Sequence, residues 1–322
     1  MKGGKPFMKF GLERINEITE KMVKKELPYI DNIVIGENSS GKSLLLKKFI
    51  EKCQQNSNVY FIDAVNRGFD VKKASKIKDK PEFDMAVLKT RLGEAYFNLA
   101  DSFSFHGTST ECAEMIYGNY EEDVQKLFYS LTGDKFSIVN GDPLGEVDFG
   151  DGKGLLSSGY QAIIRILLEL LYYQDTVIQG HGVNHAWIVV DELDEFLSPK
   201  YSALIMEFLK EKFSWARWVV ATHSCDLVAH TSEANLVILD NNVCEVVDIN
   251  DYSSISEVQI IFGRLFGERK VMPSETEEIL RHLLNNKING AWGSYEEEWL
   301  NKLQKKDLSA SQKIILQQIQ RW

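Results

Sequence analysis

Ile35-Gly36-Glu37-Asn38-Ser39-Ser40-Gly41-Lys42-Ser43 decides how the rest of this chain is read. From Gly36 onward it fits G-x-x-x-x-G-K-S without a gap. The apolar run Ile33-Val34-Ile35 before it reads as a short buried strand. Ser43 to Gln54 after it reads as a helix with Leu46, Phe49, Ile50 and Cys53 on one face. Strand, glycine loop and helix in that order form the context in which this motif holds a phosphate chain. Glycines let the backbone curl so that successive N–H groups and the helix N-terminus point at negative charge. Asn38, Ser39, Ser40 and Gly41 would line that cradle, Lys42 would reach the β- and γ-phosphates, and the Ser43 hydroxyl would ligate Mg²⁺. The stretch is expected to bind a nucleotide.

Three further stretches extend the reading. Ala186-Trp187-Ile188-Val189-Val190 is a continuous apolar run, as expected of a parallel strand covered on both faces. It ends in Asp191-Glu192, where the first acid suits a Mg²⁺ shell and the second suits a general base that polarises water. Leu155-Leu156-Ser157-Ser158-Gly159-Tyr160-Gln161 opens a helix. Taken alone, Ser157 and Ser158 make good caps and Gly159 relieves a turn. Val219-Val220-Ala221-Thr222-His223-Ser224 reads as a strand ending in a histidine, which alone would be an ordinary satisfied polar residue.

The order of all four stretches resembles the ABC-type ATPases of the SMC/RecF/OLD-like branch, over roughly residues 28 to 250. The signature of that family, L-S-G-G or L-S-S-G, stands here as Leu156-Ser157-Ser158-Gly159. Its acidic motif stands as Asp191-Glu192-Leu193-Asp194-Glu195-Phe196-Leu197-Ser198-Pro199, and its switch histidine as Ala221-Thr222-His223-Ser224-Cys225-Asp226. The resemblance implies an α/β core with a mainly parallel sheet that binds ATP and Mg²⁺, with Ser43 and Asp191 at the metal and Glu192 as base. It implies that Ser157, Ser158 and Gly159 close over the nucleotide of a second copy, so that the chain assembles at least as a dimer. His223 would contact the γ-phosphate side and help sense hydrolysis. Tyr160 replaces the commoner Gln or Glu, Leu193 the proline and Ser198 the histidine, and these departures bear on the rate of hydrolysis. No glutamine marks the usual lid position, where Asn66 is the substitute, with Arg67 beside it.

The chain has 322 residues, 44% hydrophobic and 26% charged, and a net charge of −10. That composition is ordinary for a globular protein, and the acidic balance argues against a chain that coats nucleic acid through its overall field. No apolar run approaches the length of a membrane span, since Ala162 to Tyr173 is interrupted by Arg165 and Glu169. The basic start Met1 to Lys5 lacks the apolar core of a signal peptide. Cys53, Cys112, Cys225 and Cys244 are scattered, which suits a reducing cytoplasm and no structural zinc. His181-Gly182-Val183-Asn184-His185 has the spacing of paired zinc ligands but lacks the glutamate of H-E-x-x-H.

The expected organisation is an N-terminal part of the core (1–68), a helical insertion (69–150), the C-terminal part of the core (151–250) and a helical tail (251–322). Within the first part, Phe7 to Phe10 reads as a short strand ahead of a charged helix, Leu12 to Lys25. The insertion is expected to carry helices over Pro81–Phe103 and Ser109–Leu131. It also holds the lysine run Lys72, Lys73, Lys76, Lys78 and Lys80, which could contact nucleic-acid phosphates. The tail shows capping-box patterns at Ser274…Glu277, Ser294…Glu297 and Ser309…Gln312. The chain is too short for the long arms of chromosome-organising relatives or for an appended nuclease. The resemblance extends to ATPases of bacterial anti-phage systems (the Septu, PARIS and retron-associated kinds) and implies a nucleotide-driven switch that controls a separate effector such as a nuclease. The alternative is a repair or recombination ATPase that clamps DNA in an ATP-dependent dimer.

Overall fold

The computed structural model describes residues 6–53, 58–74, 82, 92–93, 97–105, 108, 110–139, 142–240, 243–252, 255–265, 279–280, 282–283, 287, 292–304, 306, 316 and 319–320. The chain forms two compact units, residues 1–266 and 267–322. In the first, a six-stranded sheet is built from β1 (Asp31–Gly36), β2 (Val59–Ile62), β6 (Ala186–Val190), β7 (Ala216–Ala221), β8 (Ala234–Asp240) and β9 (Val243–Asp248). The spatial order is β2-β6-β7-β1-β8-β9. All neighbours run parallel except β9, which returns antiparallel to β8.

Apolar runs without polar alternation form these strands because both faces are covered. Ile33, Ile35, Ile188, Val190 and Val220 join a core on one face with Tyr120, Val124 and Phe128 of the helix Tyr117–Thr132 and with Ile163, Ile166 and Leu167 of the helix Ser158–Tyr173. The intervening Val34, Trp187, Val189, Val219 and Val237 join a second core with Leu45, Leu46 and Phe49 of the helix Lys42–Cys53 and Ile15, Ile18 and Met22 of the helix Pro6–Lys24. This alternation is the period-two rule applied to a strand buried on both sides.

Phe7 to Phe10 is not a strand: it lies in the first helix, Pro6–Lys24. A spacing of three between Phe7 and Phe10 fits a helix as well as alternation fits a strand, and the buried stripe of Ile15, Ile18 and Met22 sets the helical period. Much of the expected helix 81–103 lies outside the described residues; its end is a single helical turn, Ser102–Phe105. The expected helix 109–131 is a 3₁₀ turn, Ala113–Ile116, followed by the helix Tyr117–Thr132. The Gly- and Asp-rich stretch behind it forms a small antiparallel sheet of β3 (Ser137–Ile138), β4 (Val147–Asp148) and β5 (Lys153–Gly154).

The helix Ile255–Leu265 belongs to the first unit. The second unit has its own core of Leu280, Leu283, Leu300, Leu303, Leu316 and Ile319. Its helix Ser294–Gln304 is capped one residue earlier than the sequence suggests, because Glu296 rather than Glu297 reaches back to accept from the Gly293 N–H at 2.9 Å. The other two expected caps lie outside the described residues. No helix among the described residues is long and apolar enough to cross a membrane.

The strand order places the site. β1 sits next to β7, with Val34 opposite Ala221, and β6 next to β2, with Val190 opposite Ile62. The loops leaving β1, β2, β6 and β7 therefore emerge at one edge of the sheet, the carboxyl ends where α/β sheets bind ligands.

Candidate nucleotide site

The loop after β1 depends on two glycines. A Cβ on Gly36 would stand 2.4 Å from both the Leu239 carbonyl oxygen of β8 and Ser40 Oγ, so only glycine fits. Gly41 has φ +105°, a left-handed value that its neighbour Ser39 also adopts at +69°. Between them the Ser40 N–H donates to Glu37 O at 3.1 Å, and Leu45 N–H to Gly41 O at 2.8 Å starts the helix. Lys42 folds back and donates to Gly36 O at 3.0 Å and Glu37 O at 3.2 Å. Burial lowers its pKa, against the opposing carboxylates of Glu192, Asp191 and Asp194. Ser40 Oγ is buried without a hydrogen-bond partner among the described residues, as expected of a hydroxyl meant for a ligand oxygen.

Ser43 and Asp191 meet although 148 positions separate them: Ser43 Oγ donates to Asp191 Oδ2 at 2.9 Å. Asp191 is 1% exposed. Burial raises its pKa, and bonds from Ser43 and Asn98 only partly offset this. A hydroxyl and a buried carboxylate face to face fit a hard divalent cation, which takes oxygen ligands of this kind. Glu192 follows in a left-handed conformation, φ +54°. His223 Nε2 lies 3.5 Å from Glu192 Oε1. That histidine is the main reason the Glu192 carboxyl sits below its usual pKa, ahead of Lys42 and Arg67 and against the effect of burial. The two loops are tied together: Leu193 N–H donates to Ala221 O at 3.2 Å, Thr222 N–H to Val34 O at 3.1 Å, and the Thr222 hydroxyl to Asp194.

One residue at this site escaped the sequence. Asn98 Nδ2 donates to Asp191 Oδ2 at 3.1 Å and to Ser43 Oγ at 3.3 Å. Asn66 instead donates to Asp63 Oδ1 at 2.9 Å and to Leu99 O at 3.2 Å, so it supports Asn98 rather than taking its place. Asp63 accepts from the Ser102 N–H and hydroxyl, both at 2.8 Å, and Ala64 N–H donates to Asn98 O at 3.0 Å. The end of β2 thus grips residues 98–102 and delivers Asn98 to the site. No local motif around Asn98 marks it; the signal lies in its long-range partners.

Ser157 caps the helix Ser158–Tyr173, its Oγ accepting from Tyr160 N–H at 3.2 Å, and both Ser157 and Ser158 are exposed. Gly159 lies against the acidic-motif loop, where an added Cβ would be 3.0 Å from Phe196 O. No hydrogen bond joins these three to the phosphate loop of the same chain among the described residues. Tyr160 has a place of its own. Its hydroxyl donates to Asp134 and lies 3.1 Å from Tyr201 Oη, and its ring packs edge-on against Phe128. Burial and the Asp134 bond push the phenol pKa up. Tyr160 therefore fastens the signature helix to the helix Tyr117–Thr132 and the turn after it. Lys72 and Lys73 line a cavity of about 510 Å³ with Asp70, Glu114 and Arg165, while Lys76, Lys78 and Lys80 lie outside the described residues. His181 and His185 are both exposed.

No family model and no curated protein matches the sequence. Among solved structures the chain is similar to an SMC head bound to the C-terminal winged-helix domain of ScpA, with 16% identity, 41% of this chain and 43% of that chain covered, and a TM-score of 0.30. It is similar to a dimeric ATP-binding cassette in a post-hydrolysis state bound to ADP and Pi (15%, 68% and 85%, 0.34). It is also similar to a metal-chelate-type ABC transporter in an inward-facing conformation (13%, 75% and 79%, 0.35). This chain spans less than half of the SMC head chain.

Proposed function

We propose that the chain is an ABC-type ATPase that binds Mg²⁺-ATP, assembles through a site shared between two copies, and works as a nucleotide-driven switch. The observation that carries this reading is the Ser43–Asp191 contact at 2.9 Å, with Glu192 and His223 paired beside it. Lys42 and the backbone N–H groups of residues 38–41 would bind the phosphates. Ser43 and Asp191, steadied by Asn98, would hold Mg²⁺, which neutralises charge on the phosphates. Glu192, kept ionised by His223, would accept the proton of the attacking water, and His223 would hold that carboxylate toward the γ-phosphate side. The exposed Ser157 and Ser158 at a helix N-terminus are donors that suit the phosphate oxygens of a second copy.

On the resemblance of its motifs, the switch restrains or releases a separate effector, a nuclease in the setting of anti-phage defence. The test is the mass of the purified protein with ATP, for wild type and Glu192→Gln. ATP should drive Glu192→Gln into a larger species that Ser157→Arg abolishes. A mass that ignores both ATP and Ser157 overturns the shared site. The exposed Lys72 and Lys73 favour the DNA-clamping alternative. It requires a salt-sensitive DNA affinity that appears with ATP and is lost on charge reversal at these two lysines.

A further inference from the structure

β2 ends at Ile62, and the chain turns back through Asp63, Ala64, Val65 and Asn66 so that Arg67 reaches the end of β6. Its side chain is 1% exposed, among the largest fully buried side chains of the protein. A guanidinium has five N–H donors, and in a protein interior they are normally matched by acceptors. Here Nη2 donates to Asp191 O at 3.0 Å, whereas Nε and Nη1 have no partner among the described residues. Burial works against the charge, and carboxylates offset this only in part, Asp63 first and then Glu169, with Asp191 further behind. A cation so placed, with its one direct bond to a backbone carbonyl, is poorly explained as a packing element.

The carbonyl it holds belongs to the peptide that joins Asp191 to Glu192. Rotation of that peptide sets φ of Glu192, which is left-handed at +54° and unfavourable for a residue with a Cβ. Such a conformation persists only where its surroundings over-determine it. Three contacts do so: Asp191 N–H to Ile62 O at 3.0 Å, Leu193 N–H to Ala221 O at 3.2 Å, and the Arg67 guanidinium on the carbonyl between them. The first two are ladder bonds of the kind found along the sheet. The third comes from a side chain placed for it.

We propose that Arg67 is a positioning residue for Glu192: it clamps the Asp191–Glu192 peptide in the orientation that presents the Glu192 carboxylate to water. This rests on the reading of Glu192 as general base. Glu169, which compensates Arg67, accepts from Arg165 Nε at 2.5 Å and from the Tyr60 hydroxyl at 2.7 Å, and Arg165 Nη2 lies 2.7 Å from Asp101. Glu169 and Arg165 both sit on the helix that Ser157 caps. A share of the negative charge facing Arg67, second to that of Asp63, thus comes from the helix that Ser157 caps.

The test is a cycle between Arg67 and Glu192, read by ATP turnover and by binding of a fluorescent ATP analogue in full-length protein. Arg67→Met should lower kcat about 100-fold and leave analogue binding within about threefold. Arg67→Lys, which keeps the charge but not the planar fork, should recover only a minor part of that kcat loss. In a Glu192→Gln background Arg67→Met should cost nothing further, because the group it positions is gone. An equal kcat loss in both backgrounds, or full kcat in folded Arg67→Lys, overturns the inference. Should Arg67→Met fail to fold, Arg67→Lys carries the same comparison in both backgrounds. Wild-type protein that neither binds the analogue nor hydrolyses ATP would instead reject the nucleotide site itself.

Discussion

Replacing Asn98 with alanine isolates the one site residue that no motif announces. The side chain gives two hydrogen bonds, 3.1 Å to Asp191 Oδ2 and 3.3 Å to Ser43 Oγ. A bond to a buried carboxylate contributes about 1.5–3 kcal/mol, and a long bond to a neutral hydroxyl about 0.5 kcal/mol. Asp191 keeps its bond from Ser43, so the smaller end of that range applies, about 1.5 kcal/mol or roughly tenfold in affinity. The half-saturating Mg²⁺ concentration for ATP turnover should therefore rise about tenfold, while ATP binding without Mg²⁺, which uses Lys42 and the loop, should hold. The pH dependence follows with a definite sign. Burial already raises the Asp191 pKa in the metal-free protein. A carboxyl raised on folding contributes stability below its unfolded pKa and loses it as pH rises through the folded one. Removing Asn98 raises it further, so metal-free Asn98→Ala should lose more stability than wild type as pH rises above about 4. A Mg²⁺ titration at fixed ATP, paired with metal-free thermal melts across that range, reads both effects. A folded variant with Mg²⁺ half-saturation within twofold of wild type and the same pH trend refutes a role for Asn98 at the cation.

Gly36→Ala should destabilise by about 1–3 kcal/mol and weaken nucleotide binding, because the new methyl meets a carbonyl oxygen of β8 at 2.4 Å; an unchanged denaturation midpoint would show that the loop can yield there. His223→Ala removes the main influence holding the Glu192 carboxyl low, so the acid limb of turnover should move to higher pH and kcat fall on the order of 100-fold. A depressed carboxyl contributes stability above its unfolded pKa and loses it as pH falls through the folded one, so His223→Ala should also flatten the acid side of the stability profile.

The phosphate loop and acidic motif were legible because each is local: a fixed spacing of residues at the end of a short apolar run. The parallel strands were legible for a related reason, since Ile33–Ile35 and Ala186–Val190 carry no polar residue that would mark a solvent face. What the sequence did not show depends on partners far along the chain. Asn98 is placed by Asp63 through Ser102, 39 positions apart, and neither residue has a pattern around it. Arg67 reads only as the residue beside Asn66 at the lid position until the fold buries it against the Asp191 carbonyl. The small sheet of β3, β4 and β5 has strands of two residues, too short for any alternation to appear. Phe7 to Phe10 failed for the opposite reason, because four residues carry too little pattern to separate a strand from the first turn of a helix.

The two adjacent acids at the end of β6 show what the long-range placement achieves. Asp191 and Glu192 would repel each other and titrate alike if environment did not separate them. The fold pushes them in opposite directions: burial raises Asp191, and His223, with Lys42 and Arg67 behind it, lowers Glu192. Groups separated in this way are suited to different tasks. On the proposed function Glu192 would be the one to take a proton from water, and its depressed pKa would make it a weak base that depends on placement. Asp191 is the one whose charge is costly until a cation arrives to neutralise it. Placement therefore matters more for Glu192 than basicity does, and the strained backbone at φ +54° with a buried guanidinium on the preceding carbonyl is the arrangement such a base requires. Its cost is borne by the surrounding packing, where Ile62, Ala221 and the buried Arg67 guanidinium hold the same few atoms from three sides.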